Sequence, residues 1–313
     1  MTLGERLASL RLVVVTGKGG TGKSVVTTAL GHRLAAAGRR VLLLEVDPRE
    51  NLHQLCGVPP SAGEIVEVDR SSGVPLYLQN LKPSDVVDWV VKRQVKLGAV
   101  VRRVLASPVY RRFVEGAPGL TEIAVLGHVL RLVRGDLHRA PAIDTVLLDA
   151  PATGHGIYLL SAARLFGEAV GHGPFAELAL QVADFVDSPE KTGMVIVTQA
   201  EEMPVQEAIE LLSALQEKLG RAPEMVVSNG LYPVLGDGDE ASADQLWRRR
   251  REINDKELER LERHWHGPHL RLPLLAVDEG PKLVRALAER LAPGLAEGAM
   301  DGEEEKNHGP QSP

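Results

Sequence analysis

Apolar positions along this chain follow two alternating rhythms. Short unbroken apolar runs recur as RLVVVT (11–16), VLLLEV (41–46), VPLYLQNL (74–81), DTVLLD (144–149), GMVIVT (193–198), EMVVSN (224–229) and HLRLP (269–273). Such runs, rich in β-branched residues, read as strands buried on both faces. Between them apolar residues return at helical spacing, as in VVTTALGHRLAAAG (25–38), which ends on a glycine stop. The alternation predicts an α/β fold: a mostly parallel sheet of about seven or eight strands flanked by helices. Right-handed crossovers then bring the carboxyl ends of the strands to one edge, where ligands of such sheets bind.

Two stretches interrupt the rhythm. Residues 83–139 read as wholly helical, with Ser84 as a cap, and residues 156–187 read as helical too. Together they predict an inserted helical subdomain within one domain spanning 1–296, and their Val, Leu and Ile stripes read as core. A long helix over 242–266 carries both charge signs, and its WRRRRE segment reads as a solvated, ion-paired face.

Composition narrows the classes. With 313 residues the chain can bury a large core, and 25% charged and 44% hydrophobic residues are ordinary globular values. A net charge of −6 gives no pull toward nucleic acid or an anionic membrane, so no nucleic-acid partner is expected. The single cysteine, Cys56, excludes a disulfide framework or multi-cysteine metal site within one subunit and suits a reducing compartment. The opening MTLGERLASL lacks the apolar core and cleavage site of a secretion signal. No run reaches the roughly 18 apolar residues of a membrane span. A cytoplasmic location is expected, and the acidic tail at 297–313 reads as disordered.

The most specific chemistry lies at GKGGTGKS. Gly17, Gly22, Lys23 and Ser24 satisfy the phosphate-loop pattern, with Lys18 as an additional cation, and the context is strand before and helix after. Such a turn points several backbone amides at one spot, where the helix dipole adds positive potential, and Gly17, Lys18, Gly19, Gly20, Thr21, Gly22, Lys23, Ser24 and Val25 are the expected nucleotide-binding residues. Lys23 is expected on the β- and γ-phosphates and Ser24 on Mg²⁺. Without a ligand, the loop is expected to leave two buried lysines without partners.

Other strand ends complete the site. EVDPRENL places Glu45, Asp47 and Asn51 after the second strand, with Asp47 orienting the attacking water or acting as its base. Asp149, ending DTVLLD, is expected to support Mg²⁺ through water. In the following APATGHG, Gly154 is the candidate γ-phosphate contact, with Thr153 and His155 beside it. Asn229, in VVSNGLYP, carries an amide that can match an adenine edge; the other reading is an Asn-Gly turn. No N-K-x-D or T-K-x-D guanine reader is present, which favours ATP.

GKGGTGKS, EVDPRENL, DAPATGHG and VVSNGLYP together resemble the arsenite-pump and tail-anchored-protein-targeting ATPase family (ArsA/GET type). PGLTEIAVLG (118–127) and the closing LPLLAVDEGPKLVRALAERL are also similar to it. The resemblance implies a Mg²⁺-dependent ATPase in which two nucleotides are sandwiched between two subunits and Lys18 acts on the partner's nucleotide. With one phosphate loop per chain, it implies a homodimer or a hetero-pair, acting on a protein client or a membrane-associated partner. The chain departs from the family in reading DAPATGH where DTAPTGH is usual, and in lacking the zinc-binding and metalloid-binding cysteines. Cys56 cannot supply three thiolates to a soft metalloid. The septum-site and partition ATPases share the loop and form the alternative reading, a switch on membrane or DNA; the chain lacks the basic amphipathic C-terminal helix that would anchor it. An iron-protein reductase needs two cysteines per subunit, and this chain has one.

Overall fold

The structure is a computed structural model that describes residues 1–46, 50–94, 103, 105–117, 119–151, 155–170, 172–234, 242–277 and 279–297. Its strands are β1 (Leu12–Thr16), β2 (Val41–Glu45), β3 (Val66–Asp69), β4 (Leu76–Asn80), β5 (Thr145–Asp149), β6 (Thr192–Thr198), β7 (Met225–Leu231) and β8 (His269–Pro273). They form one eight-stranded sheet in the order β3-β4-β2-β5-β1-β6-β7-β8. Neighbours are parallel except β3 and β4, which are antiparallel. Each apolar run of the sequence is a strand. The addition, β3, is a short half-buried edge strand, VEVD, with a register shift between Glu67 and Asp69. Its two acids leave no apolar run to read.

Side chains along the strands alternate between two cores with the period of a pleated strand. Leu12 and Val14 of β1 face one core, and Val13 and Val15 face the other. On the second face lie α1 (Leu3–Ser9), α2 (Lys23–Ala36), α3 (Asn51–Cys56) and α11 (Pro281–Ala296). The first face carries α4 (Pro83–Gln94), α5 (Pro108–Gly116), α6 (Leu120–Arg134), α7 (His155–Val170), α8 (Pro174–Asp187) and α9 (Glu202–Leu219). Val86, Leu126, Leu160 and Val182 from these helices share one core with Leu44 and Leu148 of the sheet. The expected helical insertion is therefore a layer laid on the sheet, broken into several helices. Parts of it at 95–102, 104, 118 and 171, and the tail at 298–313, lie outside the described residues.

The longest helix among the described residues, α10 (Ser242–Glu262), ends short of the predicted 266. Arg251 pairs with Asp255 at 2.7 Å and Arg250 with Glu201 at 3.6 Å, while Trp247 tilts against Tyr232. Among the described residues no helix is long and apolar enough to cross a membrane.

Candidate nucleotide site

The order of the sheet fixes where a ligand can sit. β1 lies between β5 and β6, so the chain leaving Thr16 emerges where the order of the parallel strands reverses, the crevice that doubly wound sheets use. It enters α2 at Lys23, two residues before the apolar spacing alone would start a helix. The intervening loop requires glycine at both ends. Gly17 has φ +146°, and a Cβ there would lie 2.0 Å from the Val197 carbonyl oxygen. Gly22 has φ +87°, and a Cβ would lie 2.2 Å from Asn229 Nδ2. Any side chain would be strained in backbone and in space.

The loop folds on itself through one carbonyl. The Lys18 oxygen accepts from Thr21 Oγ1 and from Lys23 Nζ, each at 2.9 Å. Gly19 and Gly20 form the exposed apex, and Val25 is half-buried in the first turn of α2. Lys23 is buried; burial lowers its pKa, and the nearby Asp149 carboxylate opposes that shift. Ser24 Oγ donates to Asp149 Oδ2 at 2.5 Å. Farther along α2 the buried hydroxyls of Thr27 and Thr28 donate to the carbonyls of Lys23 and Ser24. These bonds satisfy the two hydroxyls where the helix is buried against the sheet.

The two lysines correct the expectation of buried, partnerless cations. Lys23 uses the carbonyl of its own loop. Lys18 is not buried: its side chain is 28% exposed and pairs with Glu207 of α9 at 2.7 Å. No motif marks Glu207, which follows β6 at a distance only the fold brings close. Asn229 also does something the base or turn readings omit. Its Nδ2 donates to the Thr21 carbonyl at 3.0 Å, so β7 braces the phosphate loop directly.

β2 and β5 end side by side, Glu45 in register with Asp149. Glu45 is buried, and its Oε2 accepts from the Leu52 amide at 2.9 Å, in the first turn of α3. One side chain thus ties together both ends of the segment that carries Asp47. His53 lies 3.6 Å from the other Glu45 oxygen and bonds Ser61 through Nε2 at 2.9 Å; burial lowers its pKa. Asp47, Thr153 and Gly154 lie outside the described residues, as does the side chain of His155.

Beside the loop, a groove of 780 Å³ runs between α7 and α9, walled by residues such as Tyr158, Leu165, Leu211 and Leu219 and reaching Lys18. Cys56 ends α3 half-buried; burial, helped by the Glu45 carboxylate, pushes its thiol up to about 12, so it is protonated at neutral pH.

The sequence model of the family described as Anion-transporting ATPase matches residues 10–173, from β1 to the end of α7 and slightly beyond. ATPase BagA of Mycobacterium tuberculosis is 31% identical over 245 residues, 76% of this chain and 71% of that protein. An arsenical pump-driving ATPase of Escherichia coli is 28% identical over 254 residues, 76% of this chain and 42% of that protein. One from Acidiphilium multivorum is 27% identical over 255 residues, with the same shares. With the phosphate loop at the switch point and Ser24 bonded to the carboxylate that ends β5, the chain belongs to the anion-transporting ATPase family and is an ATPase.

Proposed function

We propose that the chain is a Mg²⁺-dependent ATP hydrolase that works as a dimer, closing on ATP and reopening after hydrolysis, to act on a protein client or partner. The observation that carries this reading is the inner loop: a buried Lys23 and a Ser24–Asp149 pair at the start of α2. An ammonium in a desolvated niche, facing amides and a helix N-terminus, binds a triphosphate far better than a solvated one would. Oxygen donors such as Ser24 and Asp149 suit a hard cation, and they would hold Mg²⁺, Asp149 through water. When bound, the ion neutralises charge on the β- and γ-phosphate oxygens.

The chain's own groups do the rest. Lys23 leaves the Lys18 carbonyl for phosphate oxygens. Asp47 orients a water in line with the γ-phosphorus; the water oxygen bonds to phosphorus as the bond to the β-phosphate oxygen breaks, and the water's proton passes by way of Asp47 to the released phosphate, giving phosphate and ADP. Gly154 offers its amide to the γ-phosphate and loses that contact when phosphate leaves. Lys18, supplied by the partner subunit, offsets the charge that develops in the transition state. A metalloid trigger is not part of this reading, because the single thiol of the chain, half-buried and protonated, cannot supply three thiolate ligands.

Sedimentation of the Asp47→Asn variant in Mg-ATP tests the proposal. The expected result is a two-subunit species retaining two nucleotides, which falls apart in ADP. A species that stays monomeric at saturating ATP, alone and with its partner chain, contradicts it.

A further inference from the structure

Lys18 does not point freely into solvent. Its carbonyl is held inward by Thr21 and Lys23, which turns the side chain outward to α9. There Nζ meets Glu207 Oε1 at 2.7 Å. Pro204, Glu207, Ala208 and Leu211 share the helical face that borders the groove, so Glu207 stands over the loop at its rim. The pair is 28% and 33% exposed, a setting in which such contacts are weak and readily exchanged.

We infer that Glu207 is a positioning residue that parks Lys18 within its own subunit and sets the threshold at which two subunits form a working site. The inference rests on the trans role proposed above for Lys18. A lysine neutralised by its own helix offers little charge to a neighbour's phosphates. To complete that neighbour's site it must leave Glu207, and the groove beside it gives the four-carbon stem room to swing. The triphosphate, with several negative charges, outcompetes one carboxylate, but only once a second subunit with ATP is in place. The contact therefore raises the concentration at which working pairs form without lowering the rate of the assembled pair.

Turnover per subunit, measured against protein concentration, reads this directly. Glu207→Gln should reach half-maximal turnover at about two- to thirtyfold lower protein concentration, the factor expected when each of the two subunits is spared the loss of a part-exposed ion pair on assembly. Its plateau rate and KM for ATP should match wild type, and Glu207→Asp should restore part of the wild-type threshold. In a Lys18→Ala background, which has no turnover, Glu207→Gln should leave the concentration for two-subunit assembly in Mg-ATP, read by sedimentation, unchanged, because the group it acts through is gone. Thermal melting checks that the variants fold; Glu207 is on a helix surface, where Gln is well tolerated. An unchanged or raised threshold in Glu207→Gln, with Lys18→Ala inactive, overturns the parking contact and leaves the trans lysine standing. Wild-type turnover by Lys18→Ala overturns both.

Discussion

Lys18 and Lys23 are five residues apart in the same loop, yet their surroundings are opposite. The inner region, around Lys23, is buried, closed by backbone and side-chain bonds, and braced by β5 and β7. The outer region, around Lys18, is part-exposed and held by one carboxylate beside an open groove. The lesson is about cost. A buried ammonium is expensive unless the site supplies partners, so Lys23 is fixed where its ligand will be. A part-exposed one is cheap to move, so Lys18 is suited to change partners.

The largest effect should come from breaking the inner region. Lys23→Ala removes the buried cation, and calorimetry should show ATP and ADP binding weakened by about 100-fold or more, as for truncating a buried charge contact. Binding within twofold of wild type would mean that the inner region does not hold the phosphates.

Acid should act on the frame around both regions. His128 packs in the helical layer with Nε2 donating to Gln79 Oε1, and His269 meets Ser228 on β7; burial depresses both to about 4. These histidines stay neutral when folded and take up protons when unfolded, near 6.5. Stability is therefore lost as pH falls from about 6.5 toward about 4, by up to roughly 1.4 kcal/mol per pH unit for each histidine. Urea midpoints at pH 7.5 and 5.5 check this; a midpoint that rises in acid would reverse the sign. A His128→Gln variant should flatten the slope.

A smaller effect sharpens the inner region. Asn229→Ala removes the bond to the Thr21 carbonyl, worth about 1 kcal/mol, and should weaken ATP, ADP and GTP alike by roughly fivefold. A loss confined to adenine nucleotides would mean that the amide reads the base more than it braces the loop.

The sequence made the inner region legible because its chemistry is local. Four residues at fixed spacing, a strand before and a helix after, specify the loop without any distant contact. Asp149 was legible for the same reason, as the last residue of an apolar run. The outer region was not. Glu207 reaches Lys18 only because β1 and β6 are neighbours, and its own helix gives it no distinguishing pattern. Glu45 was visible as an acid after a strand, but its grip on the Leu52 amide depends on how the segment between them closes. The edge strand β3 was hidden because half-buried residues on a bulged edge need not be apolar. The helical region was read as helical throughout, and its division into separate helices follows from packing on the sheet rather than from periodicity.

The central claim is that a triphosphate on the inner loop is completed by a lysine from the opposite subunit. Mixing two separately inactive variants, Lys18→Ala and Asp47→Asn, tests it most directly. In a mixed pair the first subunit keeps Asp47 and receives Lys18 from the second, so one site is whole. Equal mixing should restore about one quarter of wild-type turnover, since half of randomly formed twofold pairs are mixed and each has one complete site. No recovery, with mixed pairs shown to form, would place Lys18 and Asp47 at the same subunit's nucleotide and contradict the account.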